Sequence, residues 1–336
     1  MPRFRLIFAA TVVVLLAALT ACSGQSADLT IYSGRNEQLV GGLLEQLEQQ
    51  IGGTVEVRYG SSSELAAQLL EEGDASPADV FFSQDAGARG ALADAGRLAT
   101  LPTTTLDVVP QQYRAGDGSW VGTSARARVI AYDPRQVSEI DVPSTLDDLT
   151  DPRWKGQIGY PPTNPSWHAF VTGVRLLRGE DGARAWLTAF KANEPARFDN
   201  NILTLDAVDS GQIALGLINH YYWYERVAER GAEAVTARLA FVPGGDPLGL
   251  VNVAGAAVLA STDNPELAVA AVAFLVSPTA QQYFADVTAE YPLRPGVSST
   301  RHPLPPLDSL QPPDIDLSDL ASLQQTLALL QETGLS

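Results

Sequence analysis

The chain has 336 residues, 22 Lys and Arg against 39 Asp and Glu, a formal charge of −17 and one Cys. Hydrophobic residues make up 45% and charged ones 18%, which excludes a wholly disordered chain and fits a globular protein of about two domains. The acidic balance disfavours nucleic-acid partners, which need a Lys/Arg surface, and the lone Cys excludes a disulfide framework, an iron–sulfur cluster and a Cys-based zinc site.

The first predicted element is a leader. Arg3 and Arg5 precede an uncharged apolar run from Leu6 to about Leu19. The run is short for a membrane span of roughly 20 residues and has the length of a signal-peptide core. It ends in Leu19-Thr20-Ala21-Cys22, which resembles the bacterial lipoprotein cleavage box. On that reading residues 1–21 are removed, Cys22 is lipidated, and residues 22–28 form a polar tether. Loss of two Arg leaves 22 − 2 = 20 basic residues against 39 acidic, a charge of −19. No second long apolar stretch follows. The expectation is an exported globular protein, lipid-anchored to the outer face of the cytoplasmic membrane and not spanning it.

The mature chain then alternates strand and helix signals. Leu29–Tyr32 reads as a strand. A helical pattern over about 37–50 places Leu39, Leu43, Leu44 and Leu47 on one face and stops at Gly52-Gly53. Thr54–Tyr59 alternates like a strand, 64–72 is a helix, Ala78–Phe82 a third strand, and 86–95 a further helix. Trp120–Tyr132 is a long extended segment suited to passing from one lobe to another. A second α/β region follows, with strand 157–160, helices 166–178 and 182–191, strand 213–218 and helix 221–231. Ala254–Ala260 reads as a strand, and 265–276 and 278–286 as helices. Residues 303–313 are Pro-rich, and the tail reads as an amphipathic helix capped by Asp316 or Ser318. This order predicts an α/β protein. There is no internal repeat, Walker loop, HExxH, GxSxG, EF-hand loop or Cys-pair motif. The acidic run at 314–319 lacks a calcium-loop glycine and reads as a solvated helix start. No nucleophile–base or acid–base set is evident, so an enzyme is not expected.

The segment Ile218-Asn219-His220-Tyr221-Tyr222-Trp223-Tyr224 directly follows an apolar strand. Ligands of open α/β sheets gather just past strand carboxyl ends. Two readings stay open from the residues alone. The aromatics are packed core, or Tyr221 and Tyr222 present two phenols to one ligand. The second requires the chain not yet to be regular helix there, since helical neighbours diverge by about 100°. A phenolate is a hard oxygen donor, suited to Fe(III) and poor for Cu(I) or Zn.

With these residues in place, the chain resembles the ferric-binding proteins, the substrate-binding components of bacterial iron(III) ABC importers. The matching stretches are LTIYSGR (29–35), EEGDASPADVFFSQ (71–84), WVGTSARARVIAYD (120–133), DPRWKGQIGYPPTN (151–164), ALGLINHYYW (214–223) and EYPLRPGV (290–297). The resemblance implies a two-lobe, type II periplasmic-binding fold with hinge crossovers. Residues 29–127 and 252–302 would form the N-lobe, and 128–251 and 303–336 the C-lobe. It implies Fe(III) in the cleft on Tyr221 and Tyr222. Where many members place a His and a Glu ligand, this chain has Asn36 and Gln84, both poor iron ligands; Glu37, Asp85 and Tyr224 are the substitutes considered. It also implies a synergistic anion, carbonate or phosphate, near Asn164 and Ser166 at a helix start, with Asn201, Asn219, Arg126 and Arg35 in support. His220 is expected to be structural, and His168 and His302 show no partner pattern. The expected partner is an ABC permease, the protein acting as a monomer with no nucleic acid. The rival reading is a receptor of the same fold for an organic or oxyanion ligand such as a phosphonate, a sugar phosphate or a polyamine.

Overall fold

The structure is a computed structural model that describes residues 27–336. The expected signal peptide and the expected lipidation site at Cys22 lie outside the described residues.

The first half opens with parallel strands separated by helices. Strand β1 (Leu29–Ser33) lies between β2 (Val55–Tyr59) and β3 (Val80–Ser83). Helix α1 (Glu37–Ile51) connects β1 to β2. The Asn36 side chain caps its start by accepting from the Gln38 amide, and Gly52, at φ 67°, supplies the left-handed turn that ends it. Val40, Leu43, Leu44 and Leu47 are its buried face, at the spacing the sequence showed. Helices α2 (Ser62–Glu72), α3 (Ala86–Asp94) and α4 (Thr103–Leu106) complete this part.

Strand β4 (Val121–Tyr132) is buried along its whole length. The second half contains β5 (Ile158–Tyr160), α5 (Pro165–Ala192), β6 (Ala196–Arg197), α6 (Asn201–Asp209), β7 (Leu215–Asn219), α7 (Tyr221–Arg230) and β8 (Arg238–Ala240). Helix α5 breaks at Gly179, at φ 70°, so the two helices expected at 166–178 and 182–191 are both present. The chain then returns through β9 (Val251–Val258), α8 (Pro265–Leu275), α9 (Pro278–Asp286) and β10 (Tyr291–Pro292), and ends in α10 (Leu323–Thr333).

The sheet order is β2-β1-β3-β9-β4-β7-β5-β6. Over Val121–Ala127, β4 pairs antiparallel with β9; from Arg128 it pairs with β7. One continuous strand therefore crosses the seam between two α/β halves, and β9 lies beside it there. The extended segment read at 120–132 has this crossing role.

The tail differs from expectation. Regular helix starts only at Leu323, after a 3₁₀ stretch at Leu317–Ala321, and neither Asp316 nor Ser318 is its cap residue. Residues 303–336 also do not belong to the second half alone. The 3₁₀ stretch packs on α3 of the first half, and α10 packs on α5 of the second.

Candidate functional site

The site forms where β4 crosses the seam. Residues two apart on a strand share a face, so Ser124, Arg126 and Arg128 project together. In the ladder Arg126 stands opposite Asn252, and Arg128 opposite Asn219. A cavity here is lined by Arg126, Arg128, Asn219 and Asn252, with Gln84 and Asp85 from the first half and Ser166 from the second.

Tyr221 and Tyr222 start α7, one residue beyond the end of β7. Their rings converge, with centroids 4.1 Å apart and planes at 33°. They do so inside regular helix, contrary to the expectation that an irregular start would be needed. Long helical side chains lean back toward the N-terminus, and at the first turn both rings lean over the same seam. Burial pushes the Tyr221 phenol well above its ordinary value; Tyr222 adds to this and Arg126 opposes it. Burial also raises Tyr222, with Tyr221 and Asn201 countering and Glu225 assisting.

His220 has a structural place. Its Nδ1 accepts from the Ala127 amide at 3.2 Å, and Nε2 donates to Ala289 O at 2.9 Å. Full burial lowers its pKa to about 4, so the ring is neutral, which matches one accepting and one donating nitrogen. His168 and His302 bond backbone carbonyls of Pro162 and Asp286.

Beside the phenols lies a buried charged group. Arg35 pairs with Glu290 at 2.7 Å, both side chains 1% exposed. Ser124 donates to the other Glu290 oxygen. Burial alone would raise the Glu290 carboxyl, but Arg35 and Arg126 hold it below its ordinary value. Arg126 donates to Gln84 O, and its Nε has no partner among the described residues. Arg128 donates to Leu217 O at 2.9 Å and, at 3.4 Å, to Ser166 Oγ. Burial lowers its pKa to about 9, which leaves it cationic at neutral pH.

The start of α5 differs from the expected cluster of orphan amides. Asn164 caps it by accepting from the Ser166 amide at 2.9 Å. The Trp167 and His168 amides bond Asn164 O, and Pro165 has no N–H. The Ser166 hydroxyl donates to Asn164 Oδ1 and accepts from Asn201 Nδ2 at 3.3 Å. With these amides occupied, the polar groups left to face the cavity are side chains. The Asn201 Oδ1 and Arg128 Nε atoms are buried without partners among the described residues.

Three expected metal candidates stand elsewhere. Asn36 is exposed and occupied as the α1 cap. Glu37 is exposed in the first turn of α1. The Tyr224 hydroxyl donates to Pro303 O at 3.2 Å, and its ring packs against His220, Trp223 and His302. Gln84 lines the cavity, and its main-chain carbonyl is taken by Arg126. Asp85 also lines the cavity while capping α3 through one oxygen, accepting from the Ala88 amide at 3.0 Å. Sequence reasoning missed Arg128, Asn252, Glu290 and Glu225. The strand period from Arg126 gives Arg128, and the helical spacing from the tyrosines gives Glu225. Among the described residues no group of three His, Cys, Asp or Glu is placed to hold a metal, so a metal bound here needs the phenols.

Two α/β halves joined by crossing strands, with a polar seam carrying paired phenols and buried guanidinium groups, define a periplasmic-type solute-binding protein. The sequence profile of the bacterial extracellular solute-binding proteins matches residues 75–317, and the chain belongs to that family, within its ferric-binding group. It is 36% identical over 328 residues to the major ferric iron-binding protein of Neisseria meningitidis, covering 96% of this chain and 97% of that one. The Fe(3+)-binding periplasmic protein of Serratia marcescens is 33% identical over 98% of this chain and 96% of its own. The crystal structure of iron-bound HitA from Pseudomonas aeruginosa superposes with a TM-score of 0.85 at 37% identity, over 91% of this chain and 99% of that one. The fold is the two-lobe periplasmic-binding fold, and the protein is a solute-binding transport protein and not an enzyme.

Proposed function

We propose that this protein is an extracytoplasmic receptor that captures Fe(III) together with an anion, carbonate or phosphate, and delivers it to an ABC permease. It acts as a monomer held to the membrane by lipid on Cys22. The observation that carries the reading is the convergence of the Tyr221 and Tyr222 rings at the seam, beside the cavity that Arg126 and Arg128 line. The phenolates bind the ferric ion. Arg126, Arg128, Asn201, Asn219, Asn164 and Ser166 hold the anion, with Arg35 in support through Glu290. Of the candidate carboxylates named from the sequence, Asp85 is the one at the cavity. Closure of the two halves buries the ion and presents a closed surface to the permease.

The buried cations and amides also favour a second reading, a receptor for an oxyanion-bearing organic ligand without metal. One titration separates the two. Ferric loading in carbonate or phosphate buffer should produce a tyrosinate-to-iron charge-transfer band, weaker in anion-free buffer. A protein that stays colourless yet binds a phosphate-bearing ligand would establish the second reading.

A further inference from the structure

The acidic side chains of α7 are not equivalent. Arg226 pairs with Asp206 and approaches Glu229 at 3.7 Å. Glu225 takes no part in that network. It is half-buried, and its Oε1 is buried without a hydrogen-bond partner among the described residues. A buried carboxylate oxygen left unpaired costs free energy unless something else meets it.

Its position shows what would meet it. Glu225 lies four residues after Tyr221 and three after Tyr222 on regular helix, so the three side chains share one face. Helical side chains lean toward the N-terminus, which carries the Glu225 carboxylate back over the phenols. The charged groups it senses are Glu290 and Arg35, and it in turn acts on the Tyr222 phenol. Arg35 is already committed to Glu290.

Charge balance points the same way. A trivalent cation on two phenolates keeps one positive charge. Arg35, Arg126 and Arg128 add three more, and Glu290 removes one, so a buried excess of roughly three positive charges remains. One further carboxylate plus a doubly charged anion, carbonate or hydrogen phosphate, cancels it. The carboxylate candidate on α1, Glu37, is disqualified by exposure, and Asp85 spends one oxygen on a helix cap.

We propose that Glu225 is a ligand of the captured ferric ion, completing an oxygen set with Tyr221 and Tyr222 on a single helix face. The proposal rests on the ferric reading above. In the loaded protein its carboxylate oxygen bonds the metal, in the role that neutral Gln84 and Asn36 do not fill.

The test compares wild type with Glu225→Gln, which keeps shape and removes charge. Both are loaded with ferric ion in carbonate buffer and titrated with citrate as competitor. The expected result is that Glu225→Gln keeps a tyrosinate band, shifted in wavelength, and binds iron tenfold or more weakly, with an unchanged urea midpoint for the metal-free protein. Unchanged affinity and band position in the variant would overturn the proposal while leaving the ferric reading intact. A colourless wild type would overturn the ferric reading and this proposal with it. A crystal structure of loaded wild type tests the same point without a variant: the Glu225 carboxylate outside bonding distance of the iron rejects it.

Discussion

Tyr221 and Tyr222 carry their protons in the metal-free protein, because burial pushes both phenols up from their ordinary value. A cation takes the phenolates only by displacing those protons. Binding therefore strengthens as pH rises and weakens as it falls, by up to about tenfold per displaced proton per pH unit. Tyr221→Phe and Tyr222→Phe should each weaken ferric binding tenfold or more, about 1.4 kcal/mol. Each should also flatten the pH dependence by about one proton. Citrate competition at several values between about pH 6 and 8 measures both quantities. A variant with wild-type affinity and slope takes that tyrosine out of the ligand set. Arg126 sharpens the case for Tyr221, since its guanidinium favours the phenolate that burial opposes.

At the scale of elements, Asn36 shows how a position can be legible and its role not. Its place after β1 resembles a ligand position, but the residue is spent on the start of α1. Asn36→Ala should lower stability by about 1 kcal/mol and leave ferric affinity unchanged, read by urea unfolding and by the same competition; a loss of affinity would return Asn36 to the site. The longer elements were legible because one inner face repeats at the helical or strand period, buried in α1 and half-buried in β2. Helix α6 was not. Ile202 and Leu203 are exposed while Asn201 and Thr204 are buried, so polarity does not mark the inner face. Strands β6, β8 and β10 have two or three residues, too few to show a period. The tyrosine pair was readable as a motif after a strand. The Arg35–Glu290 pair was not, because its members are 255 residues apart and only the return of the chain through β10 brings them together.

The whole molecule has a third connection between its halves besides β4 and β9. Leu317 and Leu320 join the hydrophobic core built mainly on the first half. Leu329, Leu330 and Leu335 join the core around Trp167 and Trp186 in the second. Between them, Arg175 of α5 donates to Ser322 O and Thr326 Oγ1, both at 2.9 Å, fixing the tail to the second half. Leu320 and Leu323 also line a small cavity between α3 and α5, shared with Asp85 and His168. The tail thus spans the seam near the site, and separating the halves must pull Leu317 and Leu320 out of one core or the tail off the other. Leu320→Ala should therefore do two things. It should destabilise the protein by roughly 2–4 kcal/mol, and it should speed iron release to a chelator, because a contact that holds the halves together is lost. Leu329→Ala, buried within the second half alone, should cost comparable stability and leave the release rate at the wild-type value. Urea midpoints and stopped-flow decay of the charge-transfer band measure the two effects separately. Equal release rates for both variants would mean that the tail stabilises the fold without governing closure.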